Sequence, residues 1–529
     1  MSYRNGGAAI VESLAAHGVD VIFGIPGTHN LELYRHLRSA GIRAVTTRHE
    51  QGAGYAADGY HQVSGKPGVV ITTSGPALFN VAAAAGTAWA ESRAMLIIAP
   101  GLPTGTDGGD AGQLHETKDS SGAFDRIVAW SRRVRTADDA AAAVTDAFAF
   151  FAAGRPRPVH IEVPLDVLEQ PWTGTPFVAA RPAPATPDDD GVRDAATALS
   201  DADRPVIVAG GGARRAIGEI RRLAERLGAP VVTTTNGKGV LPEDHPLAIG
   251  AAIRLRCVQK HLAASDVVLV VGSELGDSEL WGGSVDTPTV IRLDIDPGQL
   301  DKNRVGQLHL CGDAAATLAR LLDRIAAPAP DPGAVRGAAE RAAGLRELCH
   351  AEAVADGGRW QPVVDAVRRA LPAGSSLVGD SSQVTYFGSA HFFGADKPGE
   401  FLYMAGFATL GYGLPAAIGA KLADPDRAVA VLLGDGALMF SVQEIVTAVE
   451  QRLPLPIVVV DNSGYAEIKD QQARRGIAPI GVDLVTPDLP ALARACGAYG
   501  VQAAQAADVT ELVRDALSAD RPTVIRLAC

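Results

Sequence analysis

Two β-branched apolar runs separated by one amphipathic stretch constrain this chain more than any other feature. Ala428 to Leu433 (AVAVLL) and Pro456 to Val460 (PIVVV) are short, uniformly apolar and read as strands buried on both faces. Between them Val442, Ile445, Val446, Val449 and Leu453 keep helical spacing from Ser441 onward, and Glu444 stands where it would close a capping box with that serine. A strand–helix–strand unit crosses over right-handedly, which makes its strands parallel. Their carboxyl ends then open into one crevice, where open α/β sheets hold ligands. The first run ends at Gly434-Asp435-Gly436 and the second at Asp461-Asn462, so Asp435 and Asn462 are expected to face the same crevice.

A carboxylate and an amide oxygen are hard donors, too few to cage a metal but suited to a Mg²⁺ that also holds phosphate oxygens. Gly434 and Gly436 let the backbone come close to a diphosphate, and the turn that follows, through Ala437, offers N–H groups to it. A tight strand-to-helix turn would use the same glycines, so the GDG triplet alone is unspecific. With Asn462 following 27 positions after Asp435, and Gly464 and Tyr465 just beyond, the stretch resembles the diphosphate-and-magnesium signature of thiamine diphosphate enzymes. The resemblance implies thiamine diphosphate and Mg²⁺ as cofactors. Asp435, Asn462 and the Gly464 carbonyl would hold the metal, with Gly434, Gly436, Ala437 and Tyr465 around the coenzyme. The family usually writes Asn-Asn where this chain has Asp461-Asn462, which alters the charge beside the ligand.

At 529 residues the chain exceeds a single core and fits about three domains. Pro-rich seams at Arg181 to Asp190 and Ala326 to Gly333 read as linkers. The segments between them alternate apolar runs with amphipathic helices. The expected fold is therefore α/β, three domains over 1–183, 190–327 and 338–529, each a parallel sheet flanked by helices. By the resemblance these are a pyrimidine-binding domain, a central Rossmann-like domain and a diphosphate- and Mg²⁺-binding domain. A net charge of −12 without a basic run argues against nucleic acid and anionic membrane surfaces. The five cysteines stand singly, without zinc or disulfide spacing. No signal-peptide core or stretch of transmembrane length is present, and a cytoplasmic location is the expectation.

In the first segment the turn GIPGTHN, Gly24 to Asn30, places Thr28 and His29 among the candidate catalytic residues. Glu50 ends the strand RAVTTRHE just before an Ala/Gly-rich helix, where a carboxylate would also serve as an ordinary helix-capping group. The run HEQGAGYAADGYHQVSGKPGVVITTSGPALFN, with FGIPG upstream, is similar to the pyrimidine-binding domain of the acetolactate-synthase branch of the family. Glu50 matches the family's activating glutamate, whose carboxyl shifts the pyrimidine to its imino tautomer so that the coenzyme's amino group can deprotonate the thiazolium. The loop Thr72 to Asn80 departs from the family at Ala77, Leu78 and Phe79, a bulkier set expected to reshape the substrate pocket or, for Phe79, to fill core. Gln113, His115 and Glu116 form a candidate acid/base cluster. Acetolactate-type carboligases place a glutamine here and pyruvate-type decarboxylases two adjacent histidines; Gln113 with the single His115 favours the former.

In the central segment Gly210 to Gly212 could receive a nucleotide phosphate or simply pack a strand against a helix. The family's flavin-associated run is replaced by SELGD near Gly272, so FAD is not expected. In the third segment Leu410 matches the bulky apolar prop that bends the coenzyme, and the residues after Asn462 resemble 5-guanidino-2-oxopentanoate decarboxylases, with Glu467 and Asp470 as candidate substrate contacts. The resemblance covers nearly the whole chain. It implies a thiamine diphosphate- and Mg²⁺-dependent enzyme that cleaves or forms a C–C bond next to the carbonyl of a 2-oxo acid, acetolactate-synthase-like in its carboligation. The alternatives are a non-oxidative 2-oxo acid decarboxylase and a coenzyme-binding protein without turnover. Because the family's coenzyme lies between two subunits, a homodimer or homotetramer is implied.

Overall fold

A computed structural model describes residues 3–106, 108–180, 182–325 and 332–529, the side chains of 332–336 excepted. Arg181 of the first Pro-rich seam and residues 326–331 of the second lie outside the described residues. Three six-stranded sheets carry the chain, and every paired strand in them is parallel. The first is built from β1 (Val21–Gly24), β2 (Arg43–Thr46), β3 (Gly68–Ile71), β4 (Met95–Gly101), β5 (Ser131–Arg133) and β6 (Val159–Pro164), in the order β2-β1-β3-β4-β6-β5. The second holds β7 (Pro205–Ala209), β8 (Val231–Thr233), β9 (Ala248–Gly250), β10 (Val267–Val271), β11 (Thr289–Asp294) and β12 (Leu308–Cys311), ordered β12-β11-β10-β7-β8-β9. The third holds β13 (Ser376–Gly379), β14 (Phe401–Leu402), β15 (Val429–Gly434), β16 (Pro456–Asp461), β17 (Tyr499–Ala503) and β18 (Thr523–Ala528), ordered β14-β13-β15-β16-β18-β17.

The first and third sheets thus share one connection order, while the second has the doubly wound order of dinucleotide-binding domains. The apolar runs ending at Leu433 and Val460 fall in β15 and β16, parallel and adjacent with Gly434 opposite Val460, and both are buried up to the half-buried Gly434. In the second sheet the order reverses between β7 and β10, where a phosphate would sit. The glycines there serve packing: a Cβ on Gly210 would lie 2.3 Å from the Gly272 carbonyl oxygen, and one on Gly212 2.7 Å from the Gly272 Cα.

Five helices matter for the site: α1 (Glu50–Ser64), α2 (Pro332–Gly357), α3 (Gly413–Ala423), α4 (Glu444–Glu450) and α5 (Ala466–Arg474). α1 and α3 are equivalent elements, each following the second strand of its sheet, and they pack face to face. The approach is so close that only glycine fits. A Cβ on Gly59 would lie 2.0 Å from the Ala416 carbonyl oxygen, and one on Gly419 1.8 Å from that of Ala56. One apolar core consequently runs through both sheets, from Phe23 and Tyr55 to Val431 and Ile457, whereas the second sheet has its own. α2 joins the two, burying Ala338, Ala342 and Leu345 in the central core and Ala353 in the shared one.

All five cysteines are free, yet Cys257 and Cys349, far apart in sequence, bring their Sγ atoms within 3.5 Å. Among the described residues no helix is long and apolar enough to cross a membrane.

Candidate functional site

β15 delivers Asp435 and β16 delivers Asn462 to the carboxyl edge of the third sheet. The Asn462 backbone N–H donates to Asp435 Oδ1 at 3.4 Å and the Thr486 hydroxyl donates to Oδ2 at 2.9 Å. Asp435 is buried, and burial raises its pKa above its ordinary value. Asn462 Oδ1 is buried and has no hydrogen-bond partner. A buried acceptor left unpaired costs about 1–3 kcal/mol, so this oxygen awaits a cation or donor. Gly436 must lack a side chain because a Cβ there would lie 2.9 Å from the Tyr465 ring, and Gly464 because its Cβ would lie 2.4 Å from the Val482 carbonyl oxygen. Among the described residues no three His, Cys, Asp or Glu side chains converge as a metal site. The donor set around Asp435 therefore suits a hard cation that brings its own phosphate oxygens.

Asp461 adds negative charge at this edge, as its sequence position suggests, and its field is among the causes that raise the Asp435 pKa. Burial pushes the Asp461 carboxyl up, but Arg526 Nε at 2.6 Å and the Ser463 N–H together hold it below the ordinary value. The Arg526 guanidinium partly offsets that charge.

A cavity of about 600 Å³ opens from Gly434, Asp435, Gly436, Ala437, Asn462, Gly464 and Tyr465 toward the central domain. Leu410 is half-buried and forms part of the wall, so it is not an ordinary core leucine. Opposite lie Arg254 and Trp281, the guanidinium 4.5 Å above the indole ring. Gln383 is clamped: its Oε1 accepts from Arg359, while its Nε2 donates to Glu467 at 3.0 Å and to Asp470 at 3.1 Å. Glu467, on α5, lines the cavity. Thr486, Gln383, Arg254 and Trp281 carry no motif, and the sequence reading did not single them out.

The remaining candidates gather at the carboxyl edge of the first sheet. Glu50 is the first residue of α1 and buried, and its Oε2 accepts from Asn80 Nδ2 at 2.9 Å. The Tyr34 hydroxyl, buried without a partner, is pushed well above its ordinary pKa by burial and then by the Glu50 charge. His29 Nδ1 lies 2.6 Å from Ser74 Oγ, and that oxygen lies 3.2 Å from His115 Nδ1. His115 therefore groups with Ser74 and His29 rather than with Glu116. Glu116 spends its carboxylate on the backbone N–H groups of Ala111 and Gln113, which tightens the loop, and His115 turns instead to Ser74 and His29. Gln113 is half-buried and Thr28 exposed. Ala77 and Leu78 are core, whereas Phe79 is 42% exposed.

Within one chain these two groups do not meet. The cavity at Asp435 is walled only by residues from Thr235 onward, and neither Glu50, Thr28, His29, Gln113 nor His115 reaches it.

Glu444 is where the sequence expectation fails locally. α4 begins at Glu444 rather than Ser441, whose hydroxyl is buried without a partner, so no capping box forms. The carboxylate reaches instead to the first sheet, accepting from the Arg48 N–H at 3.1 Å and the His49 N–H at 3.0 Å, and from the Thr447 hydroxyl at 2.6 Å. The His49 N–H, at the N-cap of α1, has no partner within the helix. Burial pushes the Glu444 carboxyl up to about 7. A Cβ on Gly52 would lie 2.5 Å from Glu444 Oε1, which explains that glycine.

Comparison with known proteins agrees with this anatomy. The family described as thiamine pyrophosphate enzyme matches in three parts: its N-terminal TPP binding domain over residues 4–123, its central domain over 192–321 and its C-terminal TPP binding domain over 380–527. A probable 2-ketoarginine decarboxylase of Pseudomonas aeruginosa is 41% identical over 96% of this chain and 90% of its own. A probable acetolactate synthase large subunit of Methanocaldococcus jannaschii is 31% identical over 98% of this chain and 91% of its own. The acetolactate synthase isozyme 1 large subunit of Escherichia coli is 32% identical over 88% and 83%.

Proposed function

The chain belongs to the thiamine pyrophosphate enzyme family, and from that premise we propose a thiamine diphosphate- and Mg²⁺-dependent enzyme that breaks the bond between the carboxylate and carbonyl carbons of a 2-oxo acid. The observation that carries the Mg²⁺ and diphosphate assignment is the orphaned Asn462 Oδ1 beside the Asp435 carboxylate, at glycines too crowded for any side chain. Asp435, Asn462 and the Gly464 carbonyl hold the metal. Gly434, Gly436, Ala437 and Tyr465 surround the diphosphate, and Leu410 supports the coenzyme's bend. Bound thiamine diphosphate supplies an electron sink for the pair left as carbon dioxide departs. Glu50 holds a proton at the pyrimidine ring nitrogen, and Thr28, His29, Gln113 and His115 surround the substrate.

The complete site needs two copies of the chain, one contributing the Glu50 cluster and the other the Asp435 cavity. Exposed apolar residues beside both halves support this: Phe79 at the first, and Phe407, Met439 and Phe440 near the second, are 42–49% exposed. A homodimer is the smallest assembly with full sites. Domain limits at 1–183, 190–327 and 338–529 complete the proposal.

After carbon dioxide leaves, a second carbonyl can be captured, as in an acetolactate-synthase-like carboligase, or a proton can be taken up and an aldehyde released. Two observations favour the second outcome. Identity is higher to the relative named as a decarboxylase, and the cavity wall carries the Glu467 and Asp277 carboxylates, which suit a cationic tail such as a guanidinium. The test is incubation of the protein with thiamine diphosphate, Mg²⁺ and a panel of 2-oxo acids with neutral, anionic and cationic tails, products being identified by mass. Aldehyde from the cationic acids is expected. No carbon dioxide from any of them would refute the proposal.

A further inference from the structure

We propose that His29, Ser74 and His115 form a two-headed proton relay, which delivers the proton consumed when an aldehyde is released from a 2-oxo acid. This inference rests on the proposed function. Three separate loops at the carboxyl edge of the first sheet bring the groups together: the turn after β1, the loop after β3 and the long loop after β4. Ser74 is only 4% exposed and sits between two imidazoles, 2.6 Å from His29 Nδ1 and 3.2 Å from His115 Nδ1. The rings meet edge to face, centroids 5.3 Å apart at 67°. The arrangement is held against backbone preference, since His115 has φ +62° and Gly75 is needed because a Cβ there would lie 2.7 Å from the His115 carbonyl oxygen.

A serine hydroxyl has one proton. With both Nδ1 atoms on the same oxygen, Ser74 donates to one ring and accepts an N–H from the other. The two neutral imidazoles are therefore forced into opposite tautomers. One presents Nε2–H, an acid, and the other a bare Nε2, a base. Among the described residues neither Nε2 has a hydrogen-bond partner. Burial, and then the neighbouring His115, lower the His29 pKa, so the pair resists holding two charges.

The overall reaction is R–CO–COO⁻ + H⁺ → R–CHO + CO₂: the bond between the carboxylate and carbonyl carbons breaks, and a C–H bond forms at the former carbonyl carbon. The ring facing the substrate gives its Nε2 proton to that carbon and takes the Ser74 proton at Nδ1. Ser74 takes the Nδ1 proton of the second ring, which takes one from solvent at Nε2. Each transfer is balanced and the tautomers end exchanged; before the next turnover the substrate-facing ring takes a proton from solvent at Nε2 and passes its Nδ1 proton to Ser74, which gives its own to the second ring, and that ring releases one at Nε2. Gln113 alone could not do this, because an amide does not release a proton near neutral pH.

The test uses the full chain with thiamine diphosphate and Mg²⁺, and the variants Ser74→Ala and His115→Gln. Histidine C2–H exchange, followed by mass spectrometry, reads each imidazole's pKa independently of turnover. His29 is expected to titrate below the ordinary value in the unsubstituted chain and to move toward it in His115→Gln. Aldehyde formation by Ser74→Ala should fall by about 10²-fold in kcat, with KM little changed. Carbon dioxide release coupled to ferricyanide, which oxidises the reacting carbon and needs no proton there, should fall far less. The relay is overturned alone if Ser74→Ala keeps aldehyde kcat, if the ferricyanide-coupled rate falls in parallel, or if His29 titrates the same with and without His115. Absence of carbon dioxide release by the unsubstituted chain with every 2-oxo acid overturns the functional proposal and the relay with it.

Discussion

Replacing Asn462 by leucine should move the stability of the free and loaded protein in opposite directions. In the free protein Asn462 Oδ1 is buried without a partner. Leucine has nearly the same shape and removes that orphan, which is worth about 1 kcal/mol at the lower end of the cost of an unsatisfied buried acceptor. For a domain of this size, 1 kcal/mol corresponds to about 2–4 °C in melting temperature, so the free variant should melt about 2–4 °C higher. The same oxygen is a proposed Mg²⁺ donor, and a contact to a charged group contributes about 1.5–3 kcal/mol. Ligand stabilisation grows as RT ln(1 + [L]/Kd), so at saturation the variant should lose that amount of the shift produced by thiamine diphosphate and Mg²⁺, about 3–12 °C. Differential scanning calorimetry with and without both ligands, and titration calorimetry for the 10- to 150-fold loss of affinity implied by about 1.5–3 kcal/mol, give the two readings. Asn462→Ala should show the same loaded-state loss, because it too removes the oxygen. An undiminished ligand shift in Asn462→Leu would refute the assignment of the oxygen.

Glu444→Gln should change how stability depends on pH. The folded carboxyl is raised to about 7 by burial, above its unfolded value. The stability it contributes is fully present below the unfolded pKa and is lost as pH rises through about 7. The melting temperature of the glutamine variant minus that of the unsubstituted chain should therefore widen from pH 5.5 to pH 8, by the equivalent of about 2 kcal/mol; a constant gap would show that this carboxyl does not titrate in the folded chain. Gly419→Ala drives a Cβ to within 1.8 Å of the Ala56 carbonyl oxygen and should lower the melting temperature by the equivalent of at least about 1–3 kcal/mol of overpacking. Gly344→Ala in α2, where a Cβ meets nothing within 4 Å, should be neutral or stabilising, and equal effects of the two would contradict the helix contact.

The parts of the site visible in the sequence are those carried by contiguous residues with one geometric outcome. A buried apolar run followed by GDG gives a strand end with a carboxylate at its tip, and Asp435 stands there. Glu50 before an Ala/Gly-rich stretch gives a helix start, and it is the first residue of α1. The reason for the glycines of that stretch appears only in the fold, in the close contact with α3. Thr486, Gln383 and Ser74 were not legible because each acts through a partner tens of residues away, with no local pattern to mark it. Proximity misled at Glu116, three residues from Gln113, since a carboxylate beside free backbone N–H groups takes them before it takes an imidazole.

Glu444 shows the limit in its sharpest form, because two helix starts compete for one carboxylate. Its spacing from Ser441 fits a capping box, and a helix considered alone would satisfy its own N–H groups that way. In the fold the start of α1 lies against it, with the Arg48 and His49 N–H groups aimed inward. The α4 start satisfies its own N–H groups through the Ser441, Val442 and Gln443 carbonyls, which leaves the carboxylate free for the donors ahead of α1. The consequence is structural and functional at once: the helix that carries Glu50 is pinned by a residue nine positions beyond Asp435, so the two halves of the proposed chemistry, though separate within the chain, share one rigid reference. The α1–α3 glycine contact sets their spacing, and Glu444 holds the Arg48 and His49 backbone just ahead of Glu50. Neither constraint belongs to any single stretch of sequence; both arise from packing the first sheet against the third.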